Sequence, residues 1–88
     1  MIIYKYPIPL VDDFKIAMPL GAKILSFQEQ QGQMMIWAAV CPNSSLEDRI
    51  FKLVGTGEEI DMGPVKKHIG TVQQLKGSLV WHLFEVIS

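Results

Sequence analysis

Lys66-Lys67-His68 puts three groups able to hold an anion at consecutive positions, the only cationic cluster in this 88-residue chain. Three donors per chain suit a phosphate-bearing ligand where several subunits converge. Arg49 and Lys52 add two further cations, while Trp37 and Tyr6 are the ring types on which a base stacks. These seven residues are the candidate ligand set. Gly55-Thr56-Gly57 is the other segment of chemical interest, because closely spaced glycines let backbone N–H groups approach a phosphate. A P-loop needs a longer spacing followed by Lys-Ser/Thr and a helix, and here the carboxylates Glu58 and Glu59 follow directly.

Catalytic and metal constellations fail. Cys41, the single cysteine, closes an apolar run between Val40 and Pro42, so it reads as a buried small hydrophobe rather than a thiol activated by His68 or His82. The pairs Asp12-Asp13 and Glu58-Glu59 are adjacent residues, which on strands face opposite ways and in loops are solvated. Cys41, His68 and His82 lack the spacing of zinc ligands, and His82 between Trp81 and Leu83 reads as a hydrogen-bonded core histidine. The expectation is a protein that is not an enzyme, with no metal and no cofactor.

The elements that must position these residues are strands. Met34–Cys41 and Ser78–Val86 are apolar at successive positions, which predicts central strands dry on both faces, with Trp37 and Trp81 packed in the core. Ile2–Ile8 reads as an edge strand, since Pro7 and Pro9 cannot donate to a ladder. On it, the two-residue period puts Tyr4 and Tyr6 on one face and Lys5 on the other, so the ring pair serves equally as a lid over the core or as part of a subunit interface. Phe14–Met18, Lys23–Gln30, Arg49–Thr56 and His68–Leu75 complete seven strands. Gln31-Gly32 and Lys76-Gly77 are the hairpin turns, and a loop is predicted from Gly57 to about Lys67. Ser44 and Glu47 have the spacing of a capping box around one helical turn. With no long helix, the fold expected is all-β: one domain over residues 1–88, a small antiparallel β sandwich or partly open barrel.

Composition bounds the partners. Eight basic against nine acidic residues give a net charge of −1, which removes the broad positive footprint of a duplex nucleic-acid binder. A lysine and two prolines within MIIYKYPIP exclude a signal peptide or membrane span, so a cytoplasmic chain is expected. At this size only about 60–65% of the unfolded surface is buried on folding, and an apolar fraction of 49% then favours a homo-oligomer.

The stretches YKYPIP (4–9), MPLGAKILSFQEQQGQMMIWAAVCP (18–42), IFKLVGTGEEI (50–60) and HIGTVQQLKGSLVWHLFE (68–85) together resemble a family of small proteins, encoded mainly by tailed phages and bacterial genomes, catalogued as a domain of unknown function. Glu58 stands where that family often carries a histidine after the GTG. The resemblance implies a phage context and the host cytoplasm, where small β proteins frequently counter host defences. Two functions follow as expectations: a non-enzymatic binding protein that sequesters an anionic nucleotide immune signal in pockets between subunits, or a module that docks through an edge strand on a host or phage protein.

Overall fold

The computed structural model describes residues 1–87 and contains seven strands: β1 (Ile2–Pro7), β2 (Asp13–Pro19), β3 (Lys23–Gln30), β4 (Gln33–Val40), β5 (Leu46–Gly55), β6 (Val65–Gln74) and β7 (Leu79–Val86). They form two antiparallel sheets, β1-β4-β3 and β2-β5-β7-β6, packed face to face. This is the all-β sandwich expected, with no closed barrel. Among the described residues no helix is long and apolar enough to cross a membrane.

Local chemistry explains the turns. Gln31 (φ 51°) and Gly32 (φ 82°) both take positive φ and join β3 to β4, the geometry whose twist matches a two-residue hairpin. The β6–β7 turn is wider than Lys76-Gly77 alone: four residues, Leu75 to Ser78, separate the strands, and Leu75, Lys76 and Gly77 all take positive φ. Between β5 and β6, residues 56–64 carry the chain from beside Trp81 to beside Val86, so β7 returns into the gap between two strands already laid down.

The core is the shared inner face. Met34, Ile36, Ala38 and Val40 of β4 pack with Phe27, Phe51, Leu53 and Leu83, all at most 5% exposed, and Ile8 and Met18 close the ends. β4 and β7 do occupy interior positions in their sheets, but neither is dry on both faces. The alternate residues Met35, Trp37 and Ala39 are half-buried on the outer face, which no third layer covers. Trp37 therefore stands outside the core, opposite Lys5, whereas Trp81 packs against the core and donates its indole N–H to Gln74 Oε1 at 3.0 Å. Tyr6 also packs inward, with Tyr4 edge-on at 6.4 Å.

Three local readings are corrected. Cys41 is exposed, because β4 ends at Val40 and Cys41 opens a turn whose carbonyl accepts the Ser44 N–H at 3.0 Å. No capping box forms at Ser44 and Glu47: β5 begins at Leu46, and the Glu47 carboxylate instead accepts the Gly21 N–H at 3.1 Å. The loop before β6 ends at Pro64, so Lys66 and Lys67 are strand residues like His68 rather than the end of a loop.

Truncations should rank by these positions. Phe51→Ala, which hollows the fully buried centre, is expected to cost about 3–5 kcal/mol. Trp81→Ala should lower the urea midpoint more than Trp37→Ala does, and equal midpoints for the two would contradict the placement of Trp37 outside the core.

Candidate anion-binding cleft

Leu83 and Glu85 share the inner face of β7, so the alternation that buries a leucine also buries a carboxylate, 5% exposed. An isolated charge there would cost several kcal/mol. Arg49 of β5 answers it: Nε donates to Glu85 Oε2, Nη2 to Oε1 at 2.9 Å, and Nη1 to the Ala22 carbonyl at 2.7 Å. This bidentate pair ties β5 to β7 and both to the turn between β2 and β3. Hydrogen bonding to Arg49, partly offset by burial, holds the Glu85 carboxyl below the usual glutamate range, and nearby Lys66 and Lys67 act in the same direction. The Arg49 guanidinium is correspondingly held above its ordinary value by its bonds to Glu85.

Two adjoining hollows open onto this pair. One, about 270 Å³, is lined by Gly21–Ile24, Arg49, Lys66, Lys67, Ile69 and Glu85. The other, about 250 Å³, shares Arg49, Lys66 and Glu85 and adds Glu47, Asp48 and the end of β7. Lys66 reaches the site because β6 bulges there: Val65 faces Val86 and Lys67 faces Glu85, leaving Lys66 as the extra residue. A second bulge at Ile69 turns that side chain toward the core as well.

The seven sequence candidates divide accordingly. Lys66, Lys67 and Arg49 converge on the cleft. His68 faces away, on the outer side of β6 against Phe84 at 5.1 Å, because adjacent strand residues alternate. Lys52 is on that outer side too, paired with Asp13 at 2.8 Å in a hollow ringed by Asp12, Glu58 and Glu59. Trp37 and Tyr6 belong to the other sheet and line neither basic hollow. The GTG loop is closed to anions, since Glu58 Oε1 already accepts the Gly55 N–H at 2.7 Å.

His82 is hydrogen-bonded as expected but half-buried on the outer face rather than in the core. Its Nε2 lies 2.7 Å from Thr56 Oγ1 and its Nδ1 3.0 Å from Thr71 Oγ1. Sequence reasoning missed Glu85, Lys23 and Glu47. For Glu85 a signal exists: in LVWHLFEV the two-residue period puts it on the face of Leu83, and a carboxylate on a buried face demands a cation.

The pair sets a pH dependence. Because the folded carboxyl lies below its unfolded value, its stabilisation is complete above about pH 4.3 and is lost as pH falls through the folded value. The stability gap between wild type and Glu85→Gln should therefore be largest near neutrality and close under acid, as read by urea unfolding at a series of pH values. Arg49→Met alone should cost about 3–5 kcal/mol by orphaning the carboxylate, and Arg49→Met with Glu85→Leu should recover most of it.

No curated protein and no solved structure matches the chain. The family model that does match covers residues 1–88, from the first strand through the basic cleft, and is described as Domain of unknown function (DUF7352). The chain belongs to that family.

Proposed function

We propose that this protein is a non-catalytic binding domain whose ligand carries phosphate groups, a nucleotide being the class that its sequence favours, seated where Lys23, Lys66 and Lys67 surround the Arg49–Glu85 pair. One observation carries this reading. The buried pair neutralises itself, so the lysines at the same cleft have no acidic partner within 4 Å among the described residues. Arg49 commits three N–H groups to Glu85 and Ala22, and a guanidinium has five. Two have no partner among the described residues. Arg49 occupies both oxygens of the acid at the cleft and lowers its basicity, which suits a charged wall rather than a general base.

Size narrows the ligand. A hollow of about 270 Å³ is at or below the lower end of small-molecule pockets, enough for phosphates but not for a whole nucleotide. The sugar and base would extend beyond the single chain, where a second subunit would cover them. In the phage context that the sequence resemblance implies, holding a nucleotide immune signal there withdraws it from the host receptor.

Titration with ADP and with pyrophosphate, read by calorimetry and thermal shift, tests the site. Each charge-assisted bond contributes about 1.5–3 kcal/mol, so Lys66→Ala with Lys67→Ala should weaken binding about a hundredfold or more. The double variant should unfold at the wild-type temperature, since both lysines are solvent-exposed. Equal affinity in wild type and variant would place the ligand elsewhere, and co-purification of one stoichiometric protein without any retained nucleotide would favour docking on a partner.

A further inference from the structure

Each sheet has two edge strands; β3 and β6 lie against each other where the sheets meet, which leaves β1 and β2 with open sides, and these two differ. Along β2 the backbone groups bonded to β5 are set by the Leu53 N–H donating to the Asp12 carbonyl at 2.9 Å. Alternation along the ladder then turns Asp13, Lys15 and Ala17 outward, so two of the three unpaired positions carry charge. Charged residues are how an edge is kept from pairing.

On β1 the Ile8 N–H donates to the Met34 carbonyl at 2.9 Å. The same alternation turns the N–H and C=O of Ile2, Tyr4 and Tyr6 toward β4 and those of Ile3 and Lys5 to the open side. Pro7 offers only a carbonyl there. This edge is apolar: Met1, Ile2, Ile3 and Tyr4 are 79, 49, 61 and 40% exposed. Its one charged side chain, Lys5, leans onto the outer face and donates to Gln30 Oε1 at 2.9 Å. Proline guards only the later half of the strand.

We propose that a second copy of this chain pairs antiparallel with β1 about a two-fold axis at Tyr4, joining the two three-stranded sheets into one of six. Self-pairing in this register satisfies every outward group of Ile3 and Lys5, because Ile3 meets Lys5 of the other copy in a hydrogen-bonded pair on each side of the axis. Charge disfavours the neighbouring register centred on Lys5. Centring the axis on Lys5 would set two ammonium groups directly opposite and bring Ile3 against the donor-less Pro7. Centring it on Tyr4 sets each Lys5 beside an isoleucine, stacks Tyr4 on Tyr4 on the inner face and lays Ile2 against Tyr6. The contact is one strand long, below the area of a standard stable interface, so the dimer is weak and concentration-dependent.

Tyr4 faces its copy in a non-hydrogen-bonded pair, where Cα atoms lie about 4.5 Å apart, within disulfide reach. In a Cys41→Ser background, Tyr4→Cys should oxidise to a covalent dimer, while Lys5→Cys should form no covalent dimer. Ile3→Pro removes only an outward N–H, so it should keep the wild-type circular dichroism and unfolding temperature and lose the concentration-dependent dimer seen by sedimentation. Crosslinking at position 5 in place of 4 would overturn the register. Sedimentation of the wild type as a 9.9 kDa species at all concentrations, with no crosslinking at position 4, would overturn the interface itself. The cysteine arm does not depend on the proline variant folding, and neither arm involves the lysines of the cleft.

Discussion

A carboxylate on the inner face of a two-sheet sandwich has few solutions, and this fold depends on the one adopted for Glu85. Arg49 on the neighbouring strand meets it with a planar fork and spends a further donor on the Ala22 carbonyl. The interaction therefore fixes the register of β5 on β7 and pins the β2–β3 turn to the same spot. Hydrophobic residues of similar volume would hold that corner about as firmly. What they would not do is leave charge at the surface above it.

That residue of charge gives the cleft its character. Lys23, Lys66 and Lys67 line it together with an ion pair that cancels internally, and the bulge in β6 is what delivers two consecutive lysines to one side. A regular ladder would have sent one of them to the opposite face. The protein as a whole carries a net charge of −1, so the basic character is local and comes from backbone irregularity rather than composition.

The architecture was legible because two-residue periodicity and turn chemistry are local. Gln31-Gly32 could be placed from glycine's freedom at positive φ, and Pro7 from its missing donor. Lys66 and Lys67 were found by type, and Arg49 as a cation on a strand. Their meeting was not legible, because it rests on bulges at Lys66 and Ile69 that no residue type announces. His68 was grouped with the lysines by adjacency, which a strand converts into opposite faces. Trp37 and Cys41 misled for a related reason. A run of apolar residues signals burial on both faces only when something covers the second face, and Cys41 lies one residue past the strand that would have buried it.

The order in which the strands enter the second sheet has a consequence for how the protein is made. β5 and β6 are not neighbours: β7 lies between them, and it is the last of the seven to leave the ribosome. Until residues 79–86 emerge, β5 and β6 each face an empty slot, and Phe51 and Leu53 lack Glu85 and Leu83 opposite them. The nascent chain can form the β3–β4 hairpin and add β1 early, since those contacts need nothing beyond residue 40. The second sheet can close only when the final strand completes two ladders and brings Glu85 to Arg49.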